Sequence, residues 1–311
     1  MKRNSCKPML PPLRPRRLHP GDRVAVLTPA SPSPADELEA GLERLDEFAL
    51  QVNVAPLEVD PRFAYLAGSD DYRSSQLNEA FRDSDLKAIF SARGGYGSLR
   101  ILPRLSYEML RQTPKILVGF SDLTSLLLAC YRHAGIICFH GPTVANLATI
   151  DGQSLQCLWK VLSSEEPLTL HFENCECLLP GRATGPVLGG NLTTISHLVG
   201  SRFLPSFNGA ILLLEDRGES LYRVDRMLTQ LVHCGLLAGI KGLLLGDFTD
   251  CAPPAQILEL FDERLAGCSF PVLAGAPVGH GSRNFTLPLG IPATLDAAKA
   301  TLSYLHTATE P

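Results

Sequence analysis

The chain has 311 residues, 45% apolar, 19% charged and 7% aromatic, which accommodates about two domains with their own cores and excludes a disordered chain. Its 28 basic and 32 acidic residues sum to −4, but Lys2, Arg3, Lys7, Arg14, Arg16 and Arg17 precede residue 22 with no acid among them, leaving the remainder at −10. A body of that sign is a poor binder of nucleic acid or anionic membrane, and no apolar run approaches the ~20 residues that span a bilayer.

Residues 1–20 read as a basic extension, broken by Pro8, Pro11, Pro12 and Pro15 and lacking the apolar core of a signal peptide. The nine cysteines are scattered without a C-x-x-C pair, as expected of free thiols in a reducing compartment. The expected setting is cytoplasmic.

Residues 24–28 form a buried-type strand leading to the loop 29–33. Ser33 as N-cap, Pro34 at the first helical position and Asp36 then open a helix carrying Leu38, Leu42 and Leu45 on one face. A strand over 52–57, a helix over 71–83 and a strand over 86–90 lead to the turn Ser91-Ala-Arg-Gly-Gly-Tyr-Gly97. A helix over 99–110, a strand over 115–120 and an apolar helix over 122–133 follow. This alternation predicts an α/β fold, a parallel sheet with helices on both faces.

The rhythm breaks over 151–185, read as a linker between a first domain at 21–150 and a second at 186–311. The second domain is expected to hold a helix over 192–198, a strand over 210–214 and an amphipathic helix over 221–234. A strand over 242–245, a helix over 255–266, a strand over 271–274, a glycine-rich loop and a β-type tail complete it.

Four places could carry chemistry. Gly119-Phe-Ser121-Asp-Leu-Thr124 is a strand–turn–helix junction, where a serine is either a nucleophile above the sheet or an N-cap. The turn holding Gly94 and Gly95 lacks G-x-G-x-x-G spacing, so it is an anion or oxyanion nest or a plain turn. Leu214-Glu215-Asp216 ends an apolar strand with either a capping acid or an orienting one. His280, between glycines in Val278-Gly-His-Gly281, is the best candidate base, with His140 second. Metal-ligand spacing is absent, which disfavours a zinc peptidase. The chain order Ser121, Glu215, His280 is that of nucleophile, orienter and base.

Ala92-Arg-Gly-Gly-Tyr-Gly97, Gly119-Phe-Ser-Asp-Leu-Thr124, Gly189-Gly-Asn-Leu192, Leu214-Glu-Asp-Arg-Gly-Glu219 with Tyr222 and 225–228, and Gly279-His-Gly281 with Thr286-Leu-Pro-Leu-Gly290 resemble the LD-carboxypeptidase family of serine peptidases. That family includes muramoyltetrapeptide carboxypeptidases and microcin C immunity proteins. The resemblance runs from about Gly21 to Tyr304; Phe120 and Leu289 stand where Tyr and Ile are common.

It implies a Ser121–Glu215–His280 triad and an oxyanion hole of backbone N–H groups at Gly94, Gly95 and Asp122. It implies a flavodoxin-like N-terminal sheet domain and a smaller C-terminal swivelling β/α domain, with the site between them, usually as a homodimer. The implied substrate is a murein tetrapeptide losing its terminal D-alanine in peptidoglycan recycling, with no metal or organic cofactor. Arg93, Arg217 and Arg283 are candidates for the terminal carboxylate. The alternatives are an amidase of the microcin immunity type acting on peptidyl- or aminoacyl-nucleotides, and a non-catalytic binding protein of the same fold. The basic head lies outside the resemblance and is expected to be a solvated or partly ordered extension.

Overall fold

The computed structural model describes residues 10–311; Lys2, Arg3, Cys6 and Lys7 lie outside the described residues. The first half contains β1 (Arg23–Leu27), α1 (Ala35–Asp46), β2 (Gln51–Val54), α2 (Asp70–Arg82) and β3 (Leu86–Ser91). It continues with α3 (Ser98–Ile101), α4 (Tyr107–Gln112), β4 (Ile116–Gly119), α5 (Thr124–Ala134), β5 (Cys138–His140) and α6 (Val144–Leu147). Next come α7 (Gly152–Ser163), β6 (Thr169–His171), β7 (Glu176–Leu179), β8 (Arg182–Asn191), α8 (Leu192–Leu198), β9 (Ile211–Arg217) and α9 (Leu221–His233). The chain ends with β10 (Gly242–Thr249), α10 (Pro254–Arg264), β11 (Val272–Ala274), β12 (Leu287–Leu289), β13 (Pro292–Asp296) and β14 (Thr301–Tyr304).

The first sheet has the order β12-β5-β4-β3-β1-β2, with β1 to β5 parallel. That is the doubly wound order whose direction of travel reverses between β1 and β3, opening a crevice above their C-terminal ends. Right-handed crossovers put α1 on one face and α2 to α5 on the other. Accordingly α2 packs on α4 and α4 on α5, while α1 packs on α6.

The second sheet is the wider, ordered β6-β14-β13-β8-β9-β10-β11-β7, with a parallel centre from β8 to β11 and antiparallel strands at both edges. One continuous apolar core runs through both sheets.

Several elements differ from the sequence-based expectation. The helix expected at 99–110 is two short helices separated by a 3-10 turn over Leu102–Arg104, because Pro103 cannot continue an α-helical ladder. Ser33 does not cap α1: Pro34 occupies the cap position and the buried Ser33 hydroxyl has no partner. The expected linker holds α7, capped by Asp151 accepting from Ser154 N–H at 2.8 Å, and three strands. Among these, β8 passes through glycines that mark a close approach of strands, since a Cβ on Gly189 would sit 2.0 Å from the Leu213 carbonyl oxygen.

The described part of the basic head is partly packed: Pro15, Arg17 and Leu18 are buried, while residues 10–12, 16, 19 and 20 are exposed. Leu13 N–H donates to the Gly135 carbonyl at 2.7 Å, and Leu18 is buried in the core. Arg17 N–H reaches Glu310 O at 2.8 Å, and the Arg17 guanidinium pairs with Glu165. β12 also departs from the expected division at 186–311. After leaving the second sheet, the chain pairs antiparallel with β5 at the edge of the first.

Candidate active site

The crevice predicted by strand order is where the singled-out residues gather. Ser121 follows β4 and begins a 3-10 turn, Ser121–Leu123, that runs into α5. Its φ is 62°, a left-handed conformation that costs a non-glycine residue roughly 1–3 kcal/mol and that proteins retain where function holds it. This lifts the side chain out of the sheet at the start of a helix.

The turn after β3 lies against that hydroxyl: a Cβ on Gly94 would be 3.0 Å from Ser121 Cβ and 3.3 Å from Oγ. Among the described residues, no hydrogen bond occupies the N–H of Gly94 or of Gly95. The Asp122 carboxylate is turned inward, accepting from Ser98 N–H at 2.8 Å, so only its backbone could serve an oxyanion. Burial raises the Asp122 pKa, opposed by its hydrogen bonds from Ser98.

Glu215 comes from β9 and His280 from the loop between β11 and β12. Glu215 is fully buried near the end of β9 and its Oε2 lies 2.7 Å from His280 Nδ1. Burial pushes the Glu215 pKa up, while the hydrogen bond and charge of His280 pull it down. The His280 ring packs on Phe120, centroids 4.7 Å apart.

Ser121, Gly94, Gly95, Phe120 and His280 line one cleft of about 400 Å³. Arg93, Arg217 and Glu37 also border it. Arg283 does not: its guanidinium is drawn away to Gln153 at 2.5 Å and Asp151 at 3.3 Å. His140, the second candidate base, is buried behind Phe120 with both ring nitrogens unpartnered. Burial, with the nearby His280 adding to it, takes its pKa down to about 3, so it stays neutral and away from the cleft.

The residues that sequence reasoning passed over as functional lie behind the cleft. Asp216 follows Glu215 and faces the opposite side of the strand, as alternation requires. It accepts from Asn191 Nδ2 at 2.9 Å, Thr193 N–H at 2.9 Å and Thr193 Oγ1 at 2.8 Å. The 191–194 turn so held rests on the serine turn: Asn191 N–H donates to Thr124 Oγ1 at 3.1 Å, and Thr194 Oγ1 to Ser121 O at 3.5 Å. The signal available was the motif Gly189-Gly-Asn-Leu192, which marks the turn without saying what it touches.

Asp216→Ala orphans those donors. It is expected to cost about 1–3 kcal/mol per unsatisfied group and to lower turnover at Ser121 roughly 10-fold or more by loosening the serine turn. Urea unfolding and steady-state kinetics on the same preparation check both. Unchanged kinetics with lowered stability would leave Asp216 a purely structural residue.

Residues 24–141 match the family model described as the LD-carboxypeptidase N-terminal domain, and residues 184–295 that of its C-terminal domain. A putative carboxypeptidase of Streptomyces coelicolor is 40% identical, covering 94% of this chain and 96% of its own. The murein tetrapeptide carboxypeptidase of Pseudomonas aeruginosa is 34% identical over 88% of this chain and 93% of its own.

The microcin C7 self-immunity protein of Escherichia coli is 27% identical, covering 95% of this chain and 98% of its own. A solved structure of microcin C7 self-immunity protein superposes with a TM-score of 0.88 at 26% identity, covering 96% of this chain and all of that one. Among the described residues no helix is long and apolar enough to cross a membrane.

Proposed function

Because the chain belongs to the LD-carboxypeptidase family of serine peptidases, we propose that it removes the terminal D-alanine from murein tetrapeptides through a Ser121–Glu215–His280 acyl-enzyme mechanism. The observation that carries this reading is the 2.7 Å contact between buried Glu215 and His280, on the cleft that also holds Ser121.

Glu215 fixes the His280 tautomer, with Nδ1–H toward the carboxylate, and leaves Nε2 as the base. Ser121 Oγ attacks the carbonyl carbon of the bond to D-alanine while His280 takes its proton. The N–H groups of Gly94, Gly95 and Asp122 receive the oxyanion. Collapse of the tetrahedral intermediate breaks the C–N bond, and His280 passes its proton to the departing amine. Water, deprotonated by His280, then attacks the acyl ester and restores the Ser121 hydroxyl. Ionised Glu215 stabilises the imidazolium that forms at each transfer.

Arg93 and Arg217 supply cations for the D-alanine carboxylate, despite the chain's overall negative sign. Peptidoglycan recycling in the cytoplasm and a homodimer belong to the same proposal, and sedimentation equilibrium of the full chain tests the dimer.

A second reading, hydrolysis of an aminoacyl-nucleotide amide, is favoured by the TM-score of 0.88 to the microcin C7 self-immunity protein, which has also been solved with aspartyl sulfamoyl adenosine. Free D-alanine from a murein tetrapeptide and amino acid from an aminoacyl-adenylate amide, measured in parallel, separate the two. D-alanine release unaffected by chelator is the expected result. Turnover of the nucleotide amide alone would overturn the first reading, and loss with chelator would overturn the serine mechanism.

A further inference from the structure

A second cavity lies behind the triad. It is a half-open pocket of about 330 Å³ beside the C-terminal ends of β10 and β11 and the start of α10, and shares no lining residue with the serine cleft. Leu245, Phe248, Ile257 and Leu258 give it apolar walls, while Asp247 and Glu176 supply carboxylates; no lysine or arginine lines it. Its size is that of a small-ligand site, and strand ends of a parallel sheet are where such sites form.

The cavity abuts the catalytic machinery. A Cβ on Gly246, in its lining, would sit 3.1 Å from Glu215 Cβ and 2.2 Å from the Val278 carbonyl oxygen. Asp247 N–H donates to that same carbonyl at 2.9 Å. The Asp247 carboxylate lies against Gly281, the residue after His280: a Cβ there would meet Oδ2 at 2.5 Å. Burial pushes the Asp247 pKa up to about 6, with the Gly281 N–H opposing, Glu215 adding to the rise and His280 opposing. Asp247 is only partly buried, and the Gly281 N–H and His280 compensate part of its charge. A cation seated in the cavity, which no lysine or arginine lines, would add to that compensation.

We propose that this cavity is a second binding site, for a small molecule with an apolar body and a single cationic head, whose ammonium group sits between Asp247 and Glu176. The turn carrying His280 shares Asp247 with the site, so occupancy is felt at the catalytic base. The proposal does not depend on which bond the enzyme cleaves.

Hexylamine, with hexanoate and hexanol as controls, is the probe, titrated calorimetrically into the full-length protein at pH 7.5. Hexylamine is expected to bind at one site per chain and to shift the His280 ring resonances in NMR spectra, while hexanoate does not bind. Leu258→Trp, which fills the chamber from a partly exposed position, is expected to abolish binding, and Glu176→Gln to weaken it about 10-fold. Absent binding, equal binding of hexanoate or hexanol, or binding that survives Leu258→Trp would overturn the proposal. Strict competition, in which the apparent Kd of hexylamine rises without limit as murein tetrapeptide is added, would place it in the serine cleft and overturn the proposal equally, whereas coupling between two sites saturates.

Discussion

Ser121→Ala is expected to lower kcat/KM for D-alanine release from a murein tetrapeptide by roughly 10⁴- to 10⁶-fold, the range seen when a hydrolase loses its nucleophile but keeps its oxyanion donors. The hydroxyl stands just before α5, lines the cleft and abuts the Gly94 turn. Ser121→Gly is expected to be equally inactive and more stable by about 1 kcal/mol, because glycine adopts the observed φ of 62° without strain. Coupled D-alanine detection and urea melts of both variants read these effects. Residual turnover within 10-fold of the parent would remove Ser121 from the mechanism, whereas a glycine variant less stable than the parent would mean that the hydroxyl itself holds the turn.

Glu215→Gln is expected to reduce kcat about 10⁴-fold with KM little changed, because an amide cannot hold the imidazole in the required tautomer or neutralise the imidazolium. Stability should move the other way. Burial is the first cause of the raised Glu215 pKa. A carboxyl whose folded pKa lies above its unfolded value of about 4.3 contributes stability that is fully present below that value. This contribution is lost as pH rises through the folded pKa. The glutamine variant does not undergo that loss, so its advantage over the parent should grow from pH 4 upward and be largest at pH 8. Thermal melts across that range test the sign. A variant less stable than the parent at pH 8 would mean that the pair with His280 outweighs the cost of burying the charge.

The N-terminal half was the more legible because its sheet is built from contiguous β–α units whose apolar runs announce themselves locally. Its caps do not: Ser33, read as one, caps nothing, while Ser69, which accepts from Tyr72 N–H at 3.1 Å to cap α2, was passed over. The second sheet hid its strands where glycine served close packing instead of turning. The residues 180–186, read as a boundary, overlap the start of the longest strand, β8.

The candidate site divided the same way. Ser121, Glu215 and His280 could be named from strand-end motifs and their resemblance to a family. Their convergence could not, since Glu215 and His280 are 65 positions apart in sequence and meet only because the loop after β11 is seated against β10, beside β9, by the Asp247 N–H to Val278 carbonyl bond. Which of two adjacent acids meets His280 follows from strand alternation: Glu215 does, and Asp216 turns to Asn191 and Thr193, a distinction invisible in the sequence. The strain at Ser121 was equally hidden, since only one flanking glycine, Gly119, hinted at a sharp turn.

β12 has a consequence for dividing this chain. The segment that bears His280 starts on the second sheet and ends as the outermost strand of the first, while Glu310, near the other end of the chain, pairs with Arg16. A fragment ending near residue 165 would carry the serine and its helix but expose the apolar edge of Cys138–His140, an invitation to aggregation. The complementary fragment would carry the histidine on a strap with nothing to fasten it. The halves are therefore not interchangeable modules; co-expressed, they should yield soluble protein only when the last 25 residues are supplied in trans to the first, roughly the length from β12 to the end of the chain.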